Sequence, residues 1–173
     1  MTAAGISNLR VVRADYALPE HAGAVVMLLD AYASDMAGGG EPLSEFAKAH
    51  LVAELAARPQ AYSVLAFDGE APVGLVNCIE GFSTFACRPL VNVHDVAVLA
   101  SHRGQGVAAQ MLALAEAIAL QRGAVKLTLE VLTGNRPALA LYERLGFAGY
   151  QLDPSMGTAI FMQKKLPAAP ASV

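Results

Sequence analysis

Charge is scarce in this 173-residue chain: acidic and basic residues together make up 16%, and the formal net charge is −3. Without a basic excess, at a pI near 5.8, nothing offers the electrostatic footprint of a nucleic-acid binder. Cysteine is scarcer still. Cys78 and Cys87 form no CxxC pair and no zinc-ligand spacing, so neither a disulfide framework nor a metal centre is expected. They read as reduced thiols of a cytoplasmic protein, each acting as a small hydrophobe. Long hydrophobic runs are missing too, although mean hydropathy is high at +0.43. The greasiest stretches, residues 22–33 and 111–120, are interrupted by Asp30 and Glu116. Both are too short to cross a bilayer and read as buried amphipathic helices, so no membrane partner is expected. Residues 1–19 lack the apolar core of a secretory signal. What is abundant is apolar side chain, 55% of the residues, in a length that builds one core without staples.

Periodicity and punctuation divide the chain into short elements. Residues 9–13 alternate modestly and predict a first strand. Residues 20–35 place Ala22, Val25, Val26, Leu29 and Tyr32 near one helical face. The Gly38-Gly39-Gly40 run then predicts a loop. A second helix spans 44–58, with Ser44 as N-cap and Pro59 as its stop. Residues 62–67 and 73–79 are apolar runs flanking Asp68-Gly69, a hairpin signal. Strand 91–99, helix 106–121, strand 125–132 and helix 137–145 follow, with Gly123 and Gly146 at the helix ends. A last strand is expected over 157–165. The order βααββ then βαβαβ predicts an α/β fold, one mixed sheet covered by helices. No linker divides it, so residues 1–166 read as one domain and 167–173 as a disordered tail.

The most informative segment is Arg103-Gly104-Gln105-Gly106-Val107-Ala108, between a strand and a helix. Backbone N–H groups at such a junction point outward unpaired, and the helix dipole adds about half a positive charge. Together they suit phosphate oxygens, and glycine lets the backbone approach them. On these six residues alone, a plain tight turn is an equal reading. A dinucleotide fingerprint fits poorly because position 109 is alanine, and no GxxxxGK[ST] phosphate loop is present. Downstream, Ala138, Leu141, Tyr142 and Leu145 fall on one face of the 137–145 helix, which directs Tyr142 inward. A tyrosine hydroxyl, of pKa about 10, can protonate a leaving thiolate, whose thiol has a pKa of about 8.5. It can equally be a core tyrosine, and Asn135 a turn residue.

Taken in order, the two motifs resemble the GNAT superfamily of N-acetyltransferases. The first signature, [Q/R]-x-x-G-x-[G/A], is matched by Arg103, Gly106 and Ala108. The second, N-x-x-A-x-x-x-Y-x-x-x-G-F, is matched by Asn135, Ala138, Tyr142, Gly146 and Phe147. The resemblance implies a mostly antiparallel mixed sheet in which strand 93–99 splays from strand 125–132. The opening would take acetyl-CoA. Backbone groups near Val96, Ala97 and Val98 would pair with the pantetheine arm, and those from Arg103 to Ala108 would hold the pyrophosphate. Asn135 and Ala138 would border the cofactor arm, and Tyr142 would be the general acid. A backbone N–H of the splayed strand, that of Val98, would stabilise the oxyanion. The implied reaction is direct attack by an amine in a ternary complex, not an acyl-enzyme on Cys78 or Cys87.

An attacking ammonium must first lose a proton. His94 and Asp95 stand on the strand expected to line the cleft, and alternation predicts that one faces the site and the other faces away. His94 is the preferred base and Asp95 an anchor for a cation or a relay water. Tyr32 and Asp35, with Asp30, Glu41 and Glu45, cluster in sequence around the triple glycine and could form an anionic mouth. Phe82 and Phe85 would wall the acceptor pocket or cap the sheet edge. The acceptor is expected to be a small-molecule amine. Rival readings are a protein lysine or N-terminal amine, or a non-catalytic acyl-CoA-binding module. A homodimer through the last strand is compatible with such folds, but no residue demands it.

Overall fold

The computed structural model describes residues 8–150, 153, 155, 157 and 159–167. Five strands form one sheet in chain order: β1 (Leu9–Arg13), β2 (Ala61–Asp68), β3 (Ala71–Ser83), β4 (Arg88–Val98) and β5 (Leu127–Leu129). β1 to β4 are successively antiparallel, and β5 joins β4 in parallel. β2 and β3 turn tightly at Gly69-Glu70, with Gly69 at φ +59°, so the Asp68-Gly69 signal marks a real hairpin. A parallel pair needs a crossover. Helices α1 (Pro19–Ser34) and α2 (Glu45–Ala56) lie on one face of the sheet, and α3 (Val107–Gln121), on the other, supplies that crossover. Helix α4 (Arg136–Arg144) follows β5.

Period-two alternation sorts the core into two layers. Tyr62, Val64 and Ala66 of β2 face α3, which buries Val107, Met111, Leu112 and Ala115 against them. Each of the valine, leucine and methionine side chains contributes roughly 1.5–3 kcal/mol of burial. Gly74 sits where α3 presses closest: a Cβ there would come within 2.7 Å of Met111 Cε. Leu65 and Phe67 face the other way, beneath Ala24, Val25 and Leu28 of α1. Helix α2 starts as expected, with Ser44 Oγ accepting from Ala47 N at 3.1 Å, but it buries no residue fully. It rests on this layer through Leu51 and Leu55.

Two expected strands change. The 125–132 strand shortens to Leu127–Leu129, because a strand persists only where a partner is in reach and β4 meets β5 only over Val91–Val93. The strand expected over 157–165 is not formed among the described residues there: 157 and 159–165 are exposed and carry no ladder, and residue 158 lies outside the described set. Of the expected tail, 168–173 also lie outside it. Among the described residues, no helix is long and apolar enough to cross a membrane, and no His, Cys, Asp and Glu cluster could hold a metal ion.

Candidate active site

β4 is paired along nearly its whole length on one side and along three residues on the other. Leu99 N donates to Val73 O at 2.9 Å. Bonded and non-bonded pairs alternate in an antiparallel ladder, so Leu75–Ala97 is the next bonded pair. Val96 and Val98 therefore direct their main-chain groups away from β3, into the gap left where β5 has ended. This is the splayed cleft. Arg103 Nε already occupies the Val98 carbonyl, at 3.0 Å. Ala97 is a correction: its main chain turns to β3 and its methyl is buried in the α1 layer, so it offers nothing to the gap.

The bend after β4 is a single 3-10 turn (Ala100–His102) followed by Arg103 to Gly106. Gly104 and Gly106 adopt φ +74° and +82°, a left-handed conformation that favours glycine, and a Cβ on either would meet nothing within 4 Å. The N–H groups of Gly104, Gln105 and Gly106 find no backbone acceptor among the described residues. Those of Val107, Ala108 and Ala109 open α3, where no intrahelical partner exists. A run of free donors at a helix start, with two glycines leaving room for close approach, fits a diphosphate. Side chains contribute less. Gln105 Nε2 is held by Ser101 O at 2.9 Å, and Val107 is buried in the core. Arg103 reaches across to Asp35 at 2.8 Å. Asp35 Oδ1 also accepts from Ala37 N, and these donors hold its carboxyl below the usual range, the backbone bond first.

A β-bulge decides which side chains of β4 face α1. Asn77 opposes Asp95, but the next residue, Cys78, opposes Val93, so His94 is the extra residue of β4. The parity of the strand is inverted there. Val93 packs in the α3 layer and Ala97, four residues on, in the α1 layer. Consecutive residues His94 and Asp95 consequently share the α1 face. Both border a cavity of about 320 Å³, walled by Leu29, Tyr32, Leu43, Leu51 and Leu55 and floored by Asn77. The expectation that one of the pair faces away is thereby corrected. It assumed an unbroken ladder.

Asp95 does not stand alone. Asn77 Nδ2 donates to Asp95 Oδ2 at 3.0 Å, Ser63 Oγ donates to Asn77 Oδ1 at 2.6 Å, and Tyr16 Oη lies 2.8 Å from Ser63 Oγ. Sequence reasoning missed Ser63 and Asn77; the available signal was one polar residue inside each of two apolar strands.

Tyr142 is buried at 8% exposure, edge-on to Phe147 at 5.8 Å between ring centres. Burial raises its pKa above the ordinary tyrosine value, and the neighbouring Tyr32 phenol adds to this. Tyr32 is itself raised, by burial and then by the charges of Asp95 and Asp35. Both phenols thus stay protonated at neutral pH. Asn135 caps α4, its Oδ1 accepting from Ala138 N at 3.3 Å, so its amide nitrogen is what it can present to a ligand. Phe82 and Phe85 are corrections: both are exposed, Phe85 at 98%, at the far end of the β3–β4 hairpin, and neither borders the cavity. The proposed anionic mouth is also dispersed, since Asp30 and Glu45 are both bridged by Lys48 and Asp35 by Arg103. Cys78 is buried and its thiol is pushed up to about 11, chiefly by burial, which suits packing rather than nucleophilic attack. Cys87 is exposed, in the β3–β4 turn.

Comparison with known proteins finds acetyltransferases among the relatives of this chain. The chain is 36% identical over 92 residues to streptothricin acetyltransferase of Streptomyces lavendulae, covering 50% of this chain and 49% of that one. It is 30% identical over 91 residues to N-alpha-acetyltransferase 30 of Schizosaccharomyces pombe (strain 972 / ATCC 24843), covering 52% and 59%. The chain thus spans about half the length of the curated relatives it matches. A solved aminoglycoside N-acetyltransferase, AAC(6')-Iy in complex with CoA, superposes with a TM-score of 0.69 over 92% of this chain and 96% of that one; at 16% identity this shows the fold alone. The family model described as "Acetyltransferase (GNAT) family" matches residues 26–147, most of the chain and both motifs. With its splayed strand, its glycine bend and its inward tyrosine, the chain belongs to the GNAT acetyltransferase family.

Proposed function

We propose that this chain, with residues 1–166 as the catalytic unit, transfers the acetyl group of acetyl-CoA to a primary amine of a small molecule by direct attack in a ternary complex. One observation carries the reading: the cavity under α1 and α2 adjoins the β4–β5 gap at His94 and Asp95, immediately after the last β4–β5 pair, Val93–Leu129. An amine on one side and a thioester on the other would meet there. The cavity lies at the small end of ligand sites. Its walls are leucines and its polar groups are few, which suits a compact amine on an apolar skeleton. The similarity to streptothricin acetyltransferase supports a small-molecule amine as acceptor.

Acetyl-CoA, when bound, supplies the acetyl group activated as a thioester. The bend from Arg103 to Ala108 would hold its diphosphate. The free main-chain groups of Val96 would pair with its arm, beside Asn135 and Ala138, while the Val98 carbonyl is held by Arg103. The Val98 N–H is then available to charge developing on the acyl oxygen. Asp95 orients the substrate ammonium, His94 takes its proton, and the freed amine attacks the acyl carbon as the carbon–sulfur bond breaks. Tyr142, kept neutral by burial, gives its proton to the departing thiolate. Proximity supplies much of the rest.

The test is acetyl-CoA-dependent release of free thiol across an amine panel, with Tyr142→Phe beside wild type. The variant is expected to lose about a hundredfold in kcat with little change in the acetyl-CoA KM. Binding of acetyl-CoA without turnover on any amine would overturn the reading in favour of an acyl-CoA-binding module. The resemblance to N-alpha-acetyltransferase 30 motivates a parallel peptide array: acetylation of peptide N-termini with no small-amine turnover replaces the acceptor class.

A further inference from the structure

The polar row across the α1 face of the sheet is out of keeping with its surroundings. Ser63 is 0% and Asn77 5% exposed, and Leu65, Phe67 and Leu75 beside them are buried. Polar groups here cost free energy unless every one is paired, and among the described residues no buried side-chain nitrogen or oxygen is left unpaired. The pairing is built into the strand register: Ser63 lies opposite Asn77 in β2–β3, and Asn77 opposite Asp95 in β3–β4. The bulge at His94 is what brings Asp95 onto this face.

The row also has a direction. A carboxylate only accepts hydrogen bonds, so Asn77 turns its amide nitrogen to Asp95 and its oxygen to Ser63. Ser63 then spends its proton on Asn77, at 2.6 Å, and must accept from Tyr16, at 2.8 Å. All donors thus run toward Asp95. An amide in the middle cannot pass a proton along, so the row is a brace rather than a relay. It fixes Asp95 Oδ2 and leaves Oδ1, which has no protein donor among the described residues, for the cavity.

Building on the acetyltransferase reading, we infer that Asn77 is a positioning residue for the acceptor amine: backed by Ser63 and Tyr16, it holds Asp95 so that one carboxylate oxygen meets the substrate ammonium. Catalytic contact belongs to Asp95; Asn77 acts through it. The structural alternative is that Asn77 merely satisfies Ser63.

Steady-state kinetics on the full chain separate the two. Losing a hydrogen bond to a charged group is worth a tenfold to hundredfold change, so Asn77→Ala is expected to lower kcat/KM for the amine by at least about tenfold. Most of that loss falls on the amine KM, with the acetyl-CoA KM and calorimetric Kd unchanged. Asn77→Asp is nearly isosteric and carries the test if the alanine variant does not fold. Two facing carboxylates cannot both ionise freely. At the acidic end of the profile a proton held between them restores a donor toward Asp95, and at the alkaline end it is lost. The variant-to-wild-type ratio of amine kcat/KM is therefore expected to fall as pH rises. His94, Tyr32 and Cys78 also face the cavity, and Tyr16 ends the row; Ser63→Ala, which leaves all four in place and adds no charge, is the control for their own titration and is expected to give a flat ratio. An Asn77→Asp ratio flat with pH, or an Asn77→Ala enzyme within about twofold of wild type, overturns the inference while leaving the acetyltransferase reading intact. A wild-type chain that turns over no amine overturns both.

Discussion

The two faces of the sheet are built from the same strands and differ in almost every other respect. Toward α3, the side chains of Tyr62, Val64, Val76, Val91 and Val93 form a dry layer closed by a helix with six buried residues. Its one tyrosine hydroxyl from β2 is retired by a bond to Ala115 O at 2.9 Å. Toward α1 and α2, the layer is apolar at one end, under Val25 and Leu28, and polar and hollow at the other, over Asn77, His94 and Asp95. One face is packed along its whole length, and the other gives up packing at one end around a cavity. Away from Tyr142, substitutions on the first face should therefore change stability without changing chemistry, and substitutions at the hollow end of the second should do the reverse.

The largest expected effect is on the dry face. Met111 is fully buried, and Met111→Ala should cost about 2–5 kcal/mol, read as a lower melting temperature or denaturant midpoint. Below the transition the amine KM should remain that of wild type; a changed amine KM would break the division of labour. Alkali probes the same face. The Cys78 thiol, ordinarily near 9, is raised to about 11 by burial. The folded state therefore keeps a proton that the unfolded chain releases above 9. Stability from this group is complete below pH 9 and declines through pH 11, by about 2–3 kcal/mol in all. Cys78→Ala should flatten that part of the stability–pH curve, and an unchanged slope would show that the site is wetter than its burial implies. The smallest effect on stability belongs to the hollow end. Leu51 lines the cavity from α2, a helix with no fully buried residue. Leu51→Ala should cost under about 1 kcal/mol yet shift preference among bulky and compact amines several-fold, measured as relative kcat/KM.

Legibility followed the same line. Features set by near neighbours could be read directly: the Ser44 cap, the Asp68-Gly69 hairpin, the glycine bend and the inward face of Tyr142 all depend on residues within a few positions. Features set by pairing could not. Whether Asp95 shares a face with His94 depends on the register of β4 against β3, and one extra residue in that ladder reverses the answer. The same distance in sequence hid the brace, since Ser63, Asn77 and Asp95 meet only across three strands. Ala97 was misjudged because hydrogen-bond alternation fixes which strand residues have free main-chain groups, and that phase is invisible until a partner is known. Phe82 and Phe85 were judged by composition, and the length of the hairpin carries them away from the cavity.

Helix α2 rests on the sheet without fully burying any of its residues, yet it supplies two walls of the cavity proposed for the acceptor. A wall that contributes little to folding is inexpensive to remodel. Under the proposed reading, changes along this helix would alter which amine is accepted with little penalty to the scaffold that holds the thioester.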